Sequence, residues 1–419
     1  MFKKIVFLVL FLVLGLLLFY GCEKIPTTPD LMPPTANLTA PADSAVVQDT
    51  VLISVLATDD KGVSRVEFYI DSQLLFTDNS SPFNFNWSTL IYQDSTYHSI
   101  FAIAYDAAGN FDSTQIITVL VVLDTGLLFI GQAATPTSAY SLFVSGNFAY
   151  VAEQGNGVQI FNITNPASPT AVGVFNTGTF TNGVFKSGNY LYLADGNNGM
   201  KVLDVSNPAS PLLIGQNTPP GNAHDIFVSG NYAYVAAQGD GMYVINVANP
   251  DTPTYVSGFA LASSAFDVDV VGTLAYVSDG GSGLRIIDVS NPSLPSQLGA
   301  YSTGGDIYFR SFILNNYAYV AAKGSGIFII DVLIPSTPSQ AGAYDLGTGL
   351  ANGVFVNGTT AYVAYGDEGL LILDVTVPAA VSQLSSFKTP GNAHNNVFYS
   401  NGFIYVASNS GLLVFRYNP

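Results

Sequence analysis

The sequence predicts an all-β chain, a seven-bladed β-propeller preceded by a small β-sandwich, and three observations carry that prediction. First, a tyrosine recurs as Tyr150, Tyr192, Tyr234, Tyr276, Tyr319, Tyr362 and Tyr405, at spacings of 42 or 43 residues. Second, each repeat divides into short strand-like runs joined by turn residues, with no amphipathic helical window. Third, 48% of residues are hydrophobic and 10% charged, with 40 Gly, 24 Tyr and 28 Phe. Aromatics suit pleated strands and glycines the tight turns between them.

At 419 residues the chain exceeds one ordinary domain, so a small module and a large one are expected. The formal net charge is −17, and −19 without Lys3 and Lys4. Nucleic acid is therefore not an expected partner, because phosphate binding needs a basic surface to displace counterions. The single cysteine, Cys22, allows neither an intrachain disulfide nor a cysteine-based zinc site.

The N-terminus places two lysines before an apolar run, Ile5 to Tyr20, which Gly21 and Cys22 follow. Residues 1–21 resemble a bacterial lipoprotein signal peptide. The resemblance implies cleavage before Cys22, lipid on its thiol, and attachment to a membrane of the cell envelope outside the cytoplasm. Phe19 and Tyr20 are bulkier than is usual there, and an uncleaved anchor is the alternative reading. Residues 22–32, with Pro26 and Pro29, and the prolines that follow at 33 and 34 read as a stiff stalk.

Residues 33–123 hold strand-like runs at Val51 to Ala57, Val63 to Ile70, Ser99 to Tyr105 and Gln115 to Val122, spaced as in a β-sandwich. The phrases Thr39-Ala-Pro-Ala-Asp43, Ala57-Thr-Asp-Asp-Lys-Gly-Val63, Val66-Glu-Phe-Tyr-Ile-Asp71 and Ala104-Tyr-Asp-Ala-Ala-Gly-Asn110 resemble a bacterial Ig-like domain, which implies a spacer or adhesion role. Asp59, Asp60 and Asp106 are of the residue type that holds Ca2+ from adjoining loops; turn capping explains them equally well. Trp87 is expected in the core.

Residues 126–419 carry the repeats, 294 residues or 42 per blade. In one unit, Asp225 to Ser229, Tyr232 to Ala237, Met242 to Val247 and Tyr255 to Phe259 read as four strands. The last unit stops after its third strand, and Leu127 to Gln132 precedes the first unit as an orphan fourth strand. The two ends together complete one blade and close the ring. Leu284-Arg-Ile-Ile-Asp-Val-Ser-Asn-Pro292, its counterpart from Met200 to Pro211, and Val228-Ser-Gly-Asn-Tyr-Ala-Tyr-Val235 resemble the LVIVD repeat of bacterial and archaeal surface proteins. That resemblance implies a propeller outside the cytoplasm and no particular activity.

Propellers bind or react where loops enter the innermost strands. Ten residues before each marker tyrosine stand Tyr140, Asn182, His224, Phe266, Phe309, Asn352 and Asn395; the next residues are Ser141, Gly183, Asp225, Asp267, Arg310, Gly353 and Asn396. His224, Asp225, Asp267, Arg310 and Asn352 are the candidate ligand residues here, joined by His394 from a second Pro-Gly-Asn-Ala-His stretch. The two histidines fall in non-neighbouring blades and out of strict register, which argues against one shared metal ion. Seven residues before each tyrosine stand six phenylalanines and Asp269, one acid in a column expected to pack between blades. A buried carboxylate there must be paired or hold a proton, so Asp269 is either functional or locally compensated.

Asn162, Asp204, Asn246, Asp288, Asp331 and Asp374 close the third strands and are expected to cap the turns that follow. The Gly-rich turns precede no helix, no nucleophile elbow appears, and spacing assembles no Ser/His/Asp set. These features favour a lipid-anchored envelope binding or scaffold protein with envelope proteins or cell-wall glycans as partners. The rivals are an envelope hydrolase or lyase with a channel-mouth active site, and a structural or adhesive surface protein. No catalytic residue and no resident cofactor is assigned, and the oligomeric state is left open.

Overall fold

The computed structural model describes residues 30–48, 50–89, 96–122, 126–388 and 393–418. The leader, Cys22 and the linker up to residue 29 lie outside the described residues. The chain divides into two compact units between Leu123 and Asp124.

The first unit is a sandwich. Strands Thr35–Ala40, Thr50–Thr58 and Phe83–Ser88 form one sheet. Val46–Val47, Ile117–Val121, Thr96–Asp106, Val63–Ile70 and Gln73–Asp78 form the other, with Phe111–Ser113 paired to Thr96–Asp106. Alternate residues point inward, as period-two strands require, so Ile53, Val55 and Trp87 of one sheet share a core with Val66, Phe68, Ile100 and Ala102 of the other. Trp87 is buried in that core.

The second unit holds seven four-stranded antiparallel sheets, or blades. Their first strands are Ala139–Ser145, Gly183–Ser187, Asp225–Ser229, Asp267–Val271, Arg310–Leu314, Gly353–Asn357 and His394–Ser400 for blades 1 to 7. Each first strand neighbours the next, and that of blade 7 lies against that of blade 1, so the series closes around an axis. Gly126–Ala134 pairs with Gly411–Asn418, with Leu127 opposite Tyr417 and Gln132 opposite Leu413. The N-terminal strand therefore completes blade 7 and covers an edge that would otherwise lie open.

The marker tyrosines sit in the second strands, which are buried between blades; Tyr150, Tyr192 and Tyr405 are each no more than 3% exposed. The Asn/Asp column caps as expected: Asn162, Asp204, Asn246, Asp288, Asp331 and Asp374 each accept the backbone N–H two residues on, at 2.8–2.9 Å. The glycine column has a steric cause. Gly157, Gly199, Gly241, Gly283, Gly326, Gly369 and Gly411 all have positive φ, and a Cβ on Gly241 would lie 2.2 Å from the Phe259 carbonyl oxygen on the fourth strand.

Candidate ligand site on the propeller axis

Because blades repeat, equivalent first-strand residues from all seven form layers around the axis, and a residue that departs from its column faces its counterparts directly. A cavity of about 270 Å3 lies there, lined by first-strand residues of every blade. Three layers shape it.

The outermost layer is an aromatic cap. Tyr140, His224, Phe266 and Phe309 pack edge to face or tilted, with His224 5.6 Å from Tyr140, 5.2 Å from Phe266 and 5.5 Å from Phe309 between ring centroids. The His224 Nδ1 lies 2.6 Å from the Phe266 carbonyl oxygen, which can only accept, so Nδ1 carries the proton and Nε2 accepts from the Tyr140 hydroxyl at 3.1 Å. Burial, reinforced by the nearby Arg310 charge, pulls His224 down to about 3. Its imidazole is neutral and both nitrogens are engaged, so His224 closes the cap and has no free nitrogen for a ligand.

The middle layer is polar. Asp267 Oδ2 accepts from the Ser311 N–H at 2.8 Å and the Ser311 hydroxyl at 2.7 Å, and Val268 N–H approaches Asp225 Oδ2 at 3.4 Å. Each carboxylate thus reaches the first strand of the next blade. Asp225 also leans on the preceding blade at Gly183, where a Cβ would lie 2.7 Å from Asp225 Oδ1. Arg310 crosses the axis from blade 5 to blade 1, donating to Ser141 Oγ at 3.3 Å and reaching the Tyr140 carbonyl at 3.5 Å. Asn396 donates to the same Ser141 hydroxyl at 3.3 Å. Arg310 is 4% exposed and its Nε has no partner.

The inner layer is the phenylalanine column with Asp269. Those phenylalanines pack between blades as expected, Phe143, Phe185, Phe227, Phe312 and Phe355 against the cores that adjacent blades share. They also meet one another, tilted, around the axis, because the first strand is the axial edge of its blade. Asp269 Oδ2 is shut off from water and has no hydrogen-bond partner. Burial raises Asp269 well above the usual carboxylate range, and the charges of Asp267 and Asp225 add to it. Asp225 is raised well above that range by burial and Asp267, while Arg310 tempers the rise in both Asp225 and Asp267. Asp225 and Asp269 are half-buried, and both line this cavity.

Asp225, Asp267, Asp269 and Arg310 therefore meet at one cavity. Asn352 does not line it: its Oδ1 accepts from Lys323 Nζ at 2.9 Å and its Nδ2 donates to the His394 carbonyl at 2.9 Å. The His394 ring is fully buried beside Phe415, and burial pulls it down to about 4. The His394 backbone carbonyl is what holds the Asn352 side chain.

Lys323 escaped the sequence reading. Its ammonium sits 3.2 Å from the Phe309 ring centroid, and burial lowers it to about 7. The signal was present: four residues after each marker tyrosine stand Gln154, Gly196, Gln238, Gly280, Lys323, Gly366 and Asn409, with one cation among them.

In the sandwich, Asp106 is spent on its own loop, accepting from Gly109 N–H at 2.7 Å, Asn110 N–H at 2.9 Å and Asn110 Nδ2 at 2.6 Å. Among the described residues, the three-carboxylate set whose oxygens lie within 4.8 Å of one another is Asp30, Asp59 and Asp60. Asp59 Oδ1 in that set also caps Lys61 and Gly62, each at 2.9 Å.

Comparison with known proteins agrees with this architecture. Residues 34–102 match the bacterial Ig domain. The LVIVD repeat matches residues 136–177, 181–218, 220–260, 262–303, 312–346 and 348–389; the seventh blade, built from both ends of the unit, is not matched. No curated protein matches the chain. The propeller resembles the WD40 β-propeller domain of Doa1, with TM-score 0.57 and 13% identity over 70% of this chain and 97% of that one. It also resembles the computationally designed Ika8 protein, with TM-score 0.54 and 8% identity over 69% of this chain and 99% of that one. At such identities the likeness concerns fold alone. The LVIVD matches together span more than half of the 419 residues, and the chain belongs to the LVIVD-repeat family.

Proposed function

We propose that the protein is a lipid-anchored binding and scaffold protein of the bacterial cell envelope. In this reading Cys22 carries the lipid, the Ig-like domain is a spacer, and the propeller is the interaction platform. It faces the periplasm or the cell surface, with envelope proteins or cell-wall glycans as partners. One observation carries the binding role. In a unit whose blades otherwise repeat one another, the departures Asp225, Asp267, Asp269 and Arg310 converge on a single axial cavity. Desolvated charges cost stability and are kept where a ligand compensates them.

Catalysis by an envelope hydrolase or lyase is the second reading: His224, with both nitrogens occupied in the cap, is not its base, and the raised carboxyls of Asp225 and Asp269 on the cavity wall would have to serve. The decisive test is affinity capture from native envelopes with the wild-type chain and with Asp225→Asn and Arg310→Met variants. Loss of the captured partners in both variants supports an axial site. Retention in both assigns binding to another surface. Processing of the precursor under a lipoprotein signal peptidase inhibitor, with Cys22→Ser as control, tests the anchor; processing unchanged in both refutes it.

A further inference from the structure

The collar of phenylalanines is nearly continuous. Adjacent ring centroids lie 5.1 Å apart for Phe143 and Phe185, 4.6 Å for Phe185 and Phe227, 4.4 Å for Phe312 and Phe355, 4.9 Å for Phe355 and Phe398, and 5.1 Å for Phe398 and Phe143. These pairs are tilted by 39–60°, so each ring turns an edge toward its neighbour, and all six phenylalanines also line the cavity. The circle is broken only at blade 4, where Asp269 takes the phenylalanine position between Phe227 and Phe312. A seventh phenyl ring would complete an apolar plug. Aspartate instead sets an unpartnered carboxyl oxygen into it. Arg310 offsets Asp225 and Asp267 one layer away, and its hydrogen bonds go to Ser141 and Tyr140 on blade 1, not to Asp269.

A carboxyl set among phenylalanines, in a small cavity with three acids and one arginine, can give up its proton to pair with a particular kind of cation. Ca2+ and Mg2+ demand about six to eight converging oxygen ligands, and Asp225, Asp267 and Asp269 are not a set whose oxygens lie within 4.8 Å of one another among the described residues. An organic ammonium is more weakly hydrated, gains about 0.5–2 kcal/mol from each well-placed aromatic face, and needs one counter-ion. The same channel already seats an ammonium on a phenyl ring, Lys323 on Phe309. We infer that the axial cavity binds a small organic ammonium, with Asp269 as its counter-ion and the phenylalanine collar as its aromatic cage. This inference rests on the reading of the axial cavity as a ligand site.

Isothermal titration of the full chain in detergent, with choline and n-butylammonium, tests it. Both are expected to bind, and the uncharged choline isostere 3,3-dimethyl-1-butanol at least tenfold more weakly. Asp269→Asn is expected to weaken choline binding at least tenfold. Asp269→Phe, which installs the residue used by the other six blades and should fold, is expected to abolish it. Equal affinity for choline and dimethylbutanol overturns the ammonium assignment, as does unchanged choline binding in Asp269→Asn. Failure of both ammonium ions to bind also overturns it. The envelope-capture experiment stands apart from these outcomes: capture lost in Asp225→Asn and Arg310→Met while choline fails to bind rejects the ammonium and keeps the axial site.

Discussion

Replacing Asp269 by phenylalanine should stabilise the propeller at the expense of its site. The change removes a carboxyl oxygen that is buried without a partner, a defect costing about 1–3 kcal/mol. It adds a phenyl ring between Phe227 and Phe312. The six existing rings are only half-buried, so the apolar gain is about 1 kcal/mol, below the 1.5–3 kcal/mol of a fully buried side chain. The sum, about 2–4 kcal/mol, corresponds to a rise in Tm of about 4–8 °C for a domain this large. Differential scanning calorimetry at pH 7.5 measures it. An unchanged or lowered Tm would refute the reasoning, because it would mean that Asp269 is already compensated or that the collar has no room for a seventh ring.

The pH dependence sharpens the test. Asp269 is raised above the ordinary value of 3.8, so the folded chain holds a proton that the unfolded chain releases. Its contribution to stability is fully present below about 3.8 and is lost as pH rises through the higher folded value. The advantage of Asp269→Phe should therefore widen as pH rises above about 3.8. His224, depressed to about 3, acts with the opposite sign: its contribution is present above about 6.5 and lost as pH falls. It is common to both proteins and cancels in the difference.

Other substitutions probe the scaffold. Lys201→Met leaves the fully buried Asp195 without its ammonium partner and should cost about 3–5 kcal/mol in urea unfolding; a cost under about 1 kcal/mol would show that the Thr179 and Thr181 hydroxyls suffice. Gly241→Ala should destabilise by about 1–3 kcal/mol, since φ is +86° and the new methyl meets the Phe259 carbonyl, whereas Gly239→Ala, with open space around it, should be near neutral. Equal effects at the two glycines would remove the steric account of the column. Deleting Gly126–Ala134 uncovers the Gly411–Asn418 edge and should yield self-associated protein by size-exclusion chromatography; a monomer of unchanged Tm would refute the seam.

The sequence by itself determined the repeat period, the four strands of each unit, the capping role of the Asn/Asp column and the pairing of the two chain ends. These features rest on local chemistry, on turn residues and strand periodicity, which act within a few residues and leave their mark at fixed positions. Asp269 was also legible as an irregularity, because a repeated column displays its exceptions.

Only the tertiary structure decided which columns meet. Residues 225, 267, 269 and 310 are up to 85 positions apart, and their convergence depends on ring closure, which brings every first strand to one axis. The same closure drew His224 into an aromatic cap, turned Arg310 across to Ser141, and left His394 facing Phe415. Side-chain direction at the axis follows from strand twist and from the neighbours offered by the adjoining blades. A glycine at 183 makes room for Asp225, and a serine at 311 holds Asp267. Such contacts join different repeats, so no single repeat can reveal them.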